Sequence, residues 1–512
     1  MTPDTVVTET QTETPKTRLR KHLIQPEALR LVPETMARKH SAIPLEISGN
    51  VLHVAMINPS DIIALEALAA RSHMHIVPVK ASAEEVQDAI DFNYQSYEEI
   101  EKQISSISQE TAETGLPAKL NTVTDAPIAK ALTLIIDEAV KARASDIHLQ
   151  PQEDKLLVRY RIDGTLHNML SLPLSTATHL ISRIKILANM NIADHHRPQD
   201  GHFAVRTRGG QVMDIRVGTV ATVYGEMAAL RLLDKSKGIL NLSDLGFMPQ
   251  SLAQYEEMLK IPYGMLLASG PTGAGKTTTL YASVNSIDCA GRNIITIEDP
   301  VEYRFQDINQ IQVNTRAGLT FASGLRSILR LDPDVILVGE IRDAETARIA
   351  IQSALTGHLV LSSIHANDAV GVVFRLLDLG IEPFLVASAL IGVIAQRMVR
   401  RVCPDCAQLT SIPPVEQMSY EKEVKENRQE FLCGKGCKSC SQTGYHGRSG
   451  LFEILQISDE IRMMLLNGTT ATKLRNQAIK EGMVPLVKDG MLKVKENFTT
   501  PAEVLRNAYS VD

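Results

Sequence analysis

Residues 264–280 read GMLLASGPTGAGKTTTL, in which an apolar run leads into a glycine-rich loop and a single lysine. Residues 270–277 fit the spacing G-x-x-x-x-G-K-[ST], and they lie between a predicted strand and a predicted helix, as this motif requires. Glycines let the backbone turn tightly enough to aim successive N–H groups at phosphate oxygens, and the helix N-terminus adds positive potential. The stretch therefore predicts a phosphate-binding loop, against the alternative of a glycine-rich turn with an incidental lysine.

The loop and the start of the following helix supply the predicted nucleotide contacts. Lys276 is expected to reach the β and γ phosphates of ATP, and the Thr277 hydroxyl is expected to hold Mg²⁺. The residues predicted to bind the nucleotide are Gly270, Pro271, Thr272, Gly273, Ala274, Gly275, Lys276, Thr277 and Thr278.

Three further apolar stretches predict strands of the same sheet. NIITIED, DVILVGE and LVLSSIH are apolar on both faces, as expected for a parallel sheet covered by helices. Ligands of such α/β sheets bind at the carboxyl ends of the strands. The polar residues next to these strands are therefore candidates for handling water, metal and the γ phosphate; they are Glu298, Asp299, Glu302, Glu340, His358 and His365. Helix-capping acids and structural histidines are the alternatives.

Composition bounds the class of protein. The chain has 512 residues, enough for several domains, with 44% hydrophobic residues, 22% charged residues and a net charge of −6. Because a chain with net negative charge lacks the overall positive electrostatic potential that attracts nucleic acid, no nucleic-acid partner is expected. The N-terminus lacks the apolar core of a signal peptide, and residues 384–395, the longest apolar run, are too few for the roughly 20 that a membrane span needs. We expect that run to form a buried helix.

The pattern of strands, turns and polar stretches divides the chain into seven predicted segments. Thr and Glu dominate the first segment, and polar Glu, Ser and Thr dominate the third, which predicts a tail and a linker. The segments are a disordered tail (1–20), a small α+β module (21–95), a linker (96–122), a second α+β domain (123–237), the α/β domain with the phosphate loop (238–400), a cysteine segment (401–441) and a helical C-terminal region (442–512).

Five of the six cysteines cluster between residues 403 and 440. CPDC places Cys403 beside Cys406, and CKSC places Cys437 beside Cys440, so two C-x-x-C turns can aim four thiolates at one tetrahedral ion. The pattern predicts a structural zinc site, since four protein ligands leave no position open for substrate. Redox dithiols and a degenerate site are the alternatives, and Cys433 competes with Cys437 as a ligand.

The sequence resembles the secretion ATPases of type II secretion and type IV pilus assembly. Four stretches match the family boxes in order: GPTGAGKTTTLYA, TIEDPVEY, LRSILRLDPDVILVGEIRDAETA and TGHLVLSSIHANDA. The resemblance runs from about Leu31 to the C-terminus. It implies an α/β, RecA-like P-loop ATPase domain preceded by a PAS-like α+β domain and a small α+β docking module, with a tetracysteine zinc insert. The helical segment that precedes this module in some relatives and binds a cyclic dinucleotide is not expected here.

The resemblance also implies roles for individual residues. Glu302 corresponds to the base that positions or activates water. Glu340 acts on Mg²⁺ through the coordination shell of the metal, and His358 and His365 are sensors of the γ phosphate. Two positions depart from the family pattern: Leu331 stands where glutamine is usual, and Met227 replaces an arginine, which removes one domain contact.

Arginines are expected to stabilise the charge that develops on the transferred phosphoryl group. Arg326, Arg330 and Arg342 flank the strand DVILVGE. Arg216 and Arg231 belong to the preceding domain, and the resemblance implies that they reach the nucleotide when that domain closes. A surface ion pair is the alternative for each of them.

These features predict a cytoplasmic ATPase motor, associated peripherally with the inner face of the cell membrane, that uses ATP, Mg²⁺ and Zn²⁺. The resemblance implies a homohexamer that works with an inner-membrane platform protein and a cytoplasmic scaffold to assemble, or extend, a type IV pilus or a secretion pseudopilus. A P-loop nucleic-acid motor and a nucleotide-binding scaffold without turnover are the alternatives.

Overall fold

A computed structural model describes residues 24–83, 85–87, 89–90, 94, 125–234, 238, 240–287, 291–437, 439–440 and 443–508. The predicted tail (1–20) and the predicted linker (96–122) lie outside this part of the chain. The chain divides into two compact units. One comprises Met1–Ser236 with Gly436–Thr443, and the other comprises Lys237–Lys435 with Gly444–Asp512.

The first unit begins with a three-stranded sheet of order β1-β2-β3. β1 (Ala42–Ser48) pairs antiparallel with β2 (Val51–Met56), and β2 pairs in parallel with β3 (His75–Lys80). Helices accompany the sheet at Pro26–Leu31, Glu34–Lys39 and Ile62–Ser72. The α+β class and the strands β2 and β3 match the prediction. β1 was not predicted, because Pro44 interrupts an apolar run that is short even for a strand.

The same unit contains a six-stranded antiparallel sheet of order β6-β5-β4-β9-β8-β7. Its strands are β4 (Ala144–Pro151), β5 (Lys155–Ile162), β6 (Thr165–Pro173), β7 (Gln199–Arg206), β8 (Val212–Thr222) and β9 (Gly225–Asp234), and its helices are Asp125–Lys141 and Ser175–Leu187. The run LLVRYRIDGTLHNML forms two strands, since Asp163 and Gly164 make a tight turn with φ of 47° and 87°.

The second unit is built on a seven-stranded sheet of order β12-β11-β13-β14-β10-β15-β18. Neighbouring strands pair in parallel except β15 and β18, which pair antiparallel. The strands are β10 (Gly264–Ser269), β11 (Ile294–Glu298), β12 (Asn309–Gln312), β13 (Val335–Val338), β14 (Leu359–Ile364), β15 (Leu390–Val402) and β18 (Tyr445–Gln456).

Helices cover both faces of this sheet. They are Pro249–Leu259, Lys276–Ser286, Phe321–Ile328, Ala344–Leu355, Ala369–Asp378, Pro383–Ala389, Asp459–Leu466, Ala471–Lys480, Leu486–Lys495 and Pro501–Ala508, with short 3-10 turns at Leu242–Leu245 and Thr315–Ala317. Side chains of β10 alternate between two cores: Met265 and Leu267 join one, Leu266 and Ala268 the other. A sheet buried on both faces explains why its strands are continuously apolar.

The prediction of a buried helix at residues 384–395 is wrong. A helix covers Pro383–Ala389, but the chain then enters the thirteen-residue strand β15. β-branched residues such as Ile391, Val393 and Ile394 favour this extended conformation, and β10 and β18 hydrogen-bond it on either side. In a short, continuously apolar run, hydrophobic periodicity cannot distinguish a buried strand from a buried helix.

The predicted helical C-terminal region at 442–512 contains, in its described residues, four helices, but it also contains a strand that was not predicted. It opens with the strand β18, which extends the main sheet, and the predicted boundary at residue 400 falls inside β15. Between these strands lie β16 (Ala407–Thr410), the helix Pro414–Val424 and β17 (Phe431–Gly434), and β16 pairs antiparallel with β17.

Candidate nucleotide site and cysteine cluster

The glycine-rich loop follows β10 directly and ends where the helix Lys276–Ser286 begins. Gly270, Gly273 and Gly275 have φ of 146°, 79° and 89°, a region that side chains with a Cβ avoid. A Cβ on Gly270 would also lie 2.5 Å from the Gln396 carbonyl oxygen. The glycines therefore permit both the turn and its close approach to β15.

The Lys276 ammonium folds back over the loop. Its Nζ donates to the carbonyl oxygens of Gly270 at 2.7 Å and Pro271 at 3.1 Å. Burial lowers the pKa of Lys276, while the charge of Glu340 acts in the opposite direction. Lys276 and Glu340 thus lie close enough for their charges to interact, although they come from different parts of the sequence.

A network built on Tyr281 joins the helix after the loop to the end of β11. The Tyr281 hydroxyl donates to Glu298 Oε2 and accepts from the Glu302 N–H at 3.1 Å. Glu298 is 3% exposed and also accepts from Thr296 Oγ1 at 2.7 Å and Gln310 Nε2 at 3.0 Å. Burial, and then the hydrogen bond to Glu298, raises the pKa of Tyr281. Glu298 is therefore a structural anchor that fixes the turn carrying Glu302.

Glu340 lies just past β13 and contacts two of the predicted site residues. Its Oε1 is 2.6 Å from Arg342, and its Oε2 is 3.6 Å from His365 Nε2. The hydrogen bond and charge of Glu340 raise the pKa of Arg342. β13 and β14 are parallel neighbours, so their carboxyl ends bring Glu340 and His365 together.

An open pocket of about 280 Å³ lies between the phosphate loop and the end of β14. Its walls are formed by Gly270, Pro271, His365, Ala366 and Asn367. The Ser269 hydroxyl donates to the Ala366 carbonyl oxygen at 2.9 Å and so holds the two walls together. His365 and the phosphate loop therefore line the same cavity.

Two residues of β15 that sequence reasoning missed also contact this region. Gln396 Nε2 donates to the Ala274 carbonyl oxygen at 2.7 Å, and Arg397 donates through one terminal nitrogen to the Asn367 carbonyl oxygen at 2.6 Å. Burial lowers the pKa of Arg397 against the raising charges of Asp368 and Glu453. Assigning residues 390–396 to a strand would have revealed them, since Gln396 and Arg397 then fall at the carboxyl edge of the sheet.

Three predicted site residues lie elsewhere in the described chain. His358 precedes β14, so it lies at the opposite edge of the sheet from His365, roughly 23 Å away at about 3.3 Å per residue. Its Nδ1 is 2.9 Å from the Ser353 carbonyl oxygen. Arg326 pairs with Glu345, and Arg330 is exposed just after the helix Phe321–Ile328, before β13. The structure does not bring these residues to the phosphate loop of their own chain.

Arg216 and Arg231 are cross-strand neighbours on β8 and β9 of the first unit. Arg231 also lies opposite Asp146 on β4, and its Nε is 3.2 Å from Asp146 Oδ1. Met227, the departure from the family pattern, lies on the same strand, β9. The two arginines therefore share one face of the six-stranded sheet.

The sulfur atoms of Cys403, Cys406, Cys437 and Cys440 lie within 4.8 Å of one another. A tetrahedral ion with bonds of about 2.3 Å needs sulfurs roughly 3.8 Å apart, and Cys437 Sγ is 3.7 Å from Cys440 Sγ. The Cys437 N–H also donates to Cys440 Sγ at 3.1 Å, as suits a thiolate. The donor set fits zinc. Cys433 lies in β17, outside this group.

A phosphate-binding loop at the carboxyl edge of a parallel sheet, with an acid and a histidine from neighbouring strands beside it, defines a P-loop ATPase. A family model described as "Type II/IV secretion system protein" matches residues 121–506, well over half of the chain. The chain belongs to this family and is an ATPase. A model described as "MshEN domain" matches residues 13–99, so this match begins inside the predicted tail and before Leu31, where the resemblance was expected to start.

Relatives from several bacteria span most of the chain. The type IV pilus assembly ATPase PilB of Myxococcus xanthus is 40% identical over 497 residues, covering 94% of this chain and 87% of that protein. Type II secretion system protein E of Dickeya dadantii is 40% identical over 491 residues, covering 94% and 97%. Type II secretion system protein HxcR of Pseudomonas aeruginosa is 46% identical over 387 residues, covering 76% and 78%.

Solved structures share the fold. The ATPase DotB of Legionella pneumophila has a TM-score of 0.54 and 21% identity, covering 76% of this chain and 96% of that chain. DotB of Yersinia pseudotuberculosis has a TM-score of 0.56 and 19% identity, covering 74% and 93%.

None of the helices in the described part of the chain combines the length and apolar composition that crossing a membrane requires.

Proposed function

We propose that this ATPase powers the assembly of a type IV pilus or of a type II secretion pseudopilus. The observation that carries the proposal is the meeting of the phosphate loop, Glu340 and His365 at one edge of the main sheet. Relatives with up to 97% of their length covered bear names from both machines. Extension of the filament, rather than its retraction, is inferred from the cysteine segment and the N-terminal module.

In the proposed reaction the loop amides and Lys276 hold the β and γ phosphates. Lys276 Nζ exchanges its carbonyl partners Gly270 and Pro271 for phosphate oxygens, which are stronger acceptors for an ammonium group. The Thr277 hydroxyl and the Glu340 carboxylate are oxygen donors of the kind that Mg²⁺ prefers, and they would hold the metal, which neutralises charge on the phosphates.

Glu302 is the proposed base that positions or activates the attacking water. It follows β11, and its N–H is fixed by Tyr281 on the helix that the phosphate loop starts. His365 is the proposed sensor of the γ phosphate, since it lines the pocket beside Gly270. Arg342, already paired with Glu340, is proposed to respond to the same change in charge.

The remaining predicted roles belong to the proposal as well. His358, Arg326 and Arg330 lie away from their own phosphate loop, so any role of theirs in hydrolysis requires a neighbouring chain. Arg216 and Arg231 are proposed to contact the nucleotide during closure, as the family resemblance implies. The homohexamer, the inner-membrane platform protein, the cytoplasmic scaffold and a cytoplasmic location at the inner face of the membrane are likewise proposals.

The cysteine cluster is proposed to be a structural zinc site. Four thiolates complete the tetrahedral shell of zinc, so no position is left for substrate.

The experiment is complementation in cells that lack this chain. Cells expressing the unaltered chain should display filaments or secrete the machine's substrates, whereas cells expressing Lys276→Ala at equal abundance should not. Normal filaments and normal secretion without the chain would contradict the proposal. A control substitution at an exposed lysine, Lys480→Ala on the helix Ala471–Lys480, should complement fully.

A further inference from the structure

Gln396 lies within β15, beneath the phosphate loop, and is 1% exposed. Its Nε2 donates to the Ala274 carbonyl oxygen at 2.7 Å, while its buried Oε1 has no hydrogen-bond partner in the described part of the chain. A buried amide that uses only its donor side carries a desolvation cost that an apolar side chain of similar size would avoid. This cost indicates that the hydrogen bond donated by Gln396 Nε2 has a function that offsets it.

The hydrogen bond to Ala274 fixes the direction of the next N–H group. In a trans peptide the C=O of one residue and the N–H of the following residue point in opposite directions. Because Gln396 holds the Ala274 carbonyl from the β15 side, the Gly275 N–H is directed away from β15. That is the side on which a phosphate-binding loop presents its amides.

The backbone of Gln396 constrains the other end of the loop. A Cβ placed on Gly270 would be 2.5 Å from the Gln396 carbonyl oxygen, and one on Gly275 would be 3.2 Å from Gln396 Nε2. The same Gln396 carbonyl accepts from Arg397 at 3.1 Å, and Arg397 also binds the Asn367 carbonyl oxygen in the opposite wall of the pocket. Gln396 therefore contacts the loop at its first glycine and at its last.

We propose that Gln396 is a positioning residue for the ATPase reaction: its side-chain N–H holds the Ala274–Gly275 peptide in the orientation that binds phosphate. Gln396 does not touch the nucleotide, and it acts only through the loop. The inference rests on the ATPase activity of the chain and goes beyond it by assigning the shape of the loop to a residue of a distant strand.

The first test is the affinity for the fluorescent nucleotide mant-ADP. Gln396→Leu keeps the side-chain volume but removes the donor, so mant-ADP should bind about tenfold more weakly. The kcat for ATP should fall less than kcat/KM, because the loop is misplaced before the nucleotide binds. The matched control is Val399→Ala, a buried β15 residue whose side chain packs away from the loop. It should lower thermal stability without changing the affinity for mant-ADP.

The second test uses a donor that pH can switch. In Gln396→Glu the protonated carboxyl can donate to Ala274, whereas the carboxylate cannot donate and repels phosphate. Burial favours the protonated form of such a carboxyl. The affinity of Gln396→Glu for mant-ADP, divided by that of the unaltered protein at each pH, should therefore rise as the pH falls from about 9 to about 6. This readout is the change with pH in the relative affinity of a second variant, so it stands even if Gln396→Leu folds poorly.

Two results would overturn the inference: wild-type affinity for mant-ADP in Gln396→Leu, or a Gln396→Glu profile parallel to that of the unaltered protein. Absence of nucleotide binding and hydrolysis in the unaltered protein would instead refute the ATPase assignment. The two failures are thus distinguishable.

Discussion

His365 Nε2 lies 3.6 Å from Glu340 Oε2, although the two residues follow different strands. Their meeting results from the parallel pairing of β13 with β14, which ends both strands at one edge. The same Glu340 carboxylate binds Arg342 and interacts with the charge of Lys276. Glu340 is therefore the electrostatic centre of the proposed site.

Glu340→Gln should reduce ATP hydrolysis by about 10²-fold or more, because the metal and three cationic or titratable neighbours lose their shared carboxylate. Binding of mant-ADP without Mg²⁺ should be retained, since the loop is untouched. Steady-state phosphate release and fluorescence titration measure the two effects. The control Glu382→Gln removes a partly exposed carboxylate that pairs with Arg348, and it should hydrolyse ATP normally. Normal turnover in Glu340→Gln would contradict its proposed role.

Glu302→Gln should keep ATP binding but lower phosphate release by about 10²- to 10⁴-fold, the range expected when a general base is lost. The amide keeps the shape of the side chain, and the hydrogen bond between the Glu302 N–H and Tyr281 is a backbone contact that survives. Asp307→Asn, an exposed acid five residues further on, is the matched control. If Glu302→Gln turns over like the unaltered protein, another group acts as the base.

Removal of zinc should unfold the cysteine segment and leave nucleotide binding intact, because the phosphate loop belongs to a separate part of the chain. Metal analysis of the purified protein should find a single zinc ion per chain. Cys437→Ser should lose that ion and Cys433→Ser should keep it, since only Cys437 belongs to the four-sulfur group. A zinc content that depends on Cys433 instead would show that the ligand set is wrong.

The C-terminal helix Pro501–Ala508 is fastened to β15 by a buried ion pair. Arg400 donates to both carboxylate oxygens of Glu503, at 3.0 and 2.7 Å. Burial of Glu503 opposes ionisation, but the hydrogen bonds and charge of Arg400 outweigh it, so the pKa of Glu503 is lowered. Glu503→Gln should reduce the free energy of unfolding by about 3 kcal/mol at pH 7.

The lowered pKa of Glu503 fixes the pH dependence of this contribution. It is fully present above the ordinary carboxyl pKa of roughly 4.3 and is lost as the pH falls through the lowered value. Urea unfolding should therefore show the difference between the unaltered protein and Glu503→Gln shrinking below about pH 4. Glu496→Gln, which removes an exposed acid in the same region, should show little difference at either pH.

Local sequence patterns predicted those parts of the site in which neighbouring residues of the sequence act together. The loop at 270–277, the strands β10, β11, β13 and β14, and the acids and His365 that follow them were read from apolar runs bounded by turns. The four-cysteine cluster followed from ligand spacing. Strand pairing across long separations was not accessible in this way: β15 was predicted as a helix, and so Gln396 and Arg397 were missed.

The two histidines also show that sequence patterns do not reveal which residues meet in space. His358 and His365 flank one strand and look equivalent in sequence, yet a six-residue strand separates them by the full depth of the sheet. Tyr281 was missed for a related reason, since its hydroxyl acts on β11 through tertiary packing that helix periodicity alone does not reveal.

The most direct measurement is a crystal structure with a nonhydrolysable ATP analogue and Mg²⁺. We expect a triphosphate bound by the amides of residues 270–277, with Lys276 Nζ moved from the Gly270 carbonyl to the β and γ phosphates. We also expect the Ala274 carbonyl to remain hydrogen-bonded to Gln396. A loop that stays empty at saturating analogue, with Lys276 unmoved in every copy, would contradict the proposed nucleotide site.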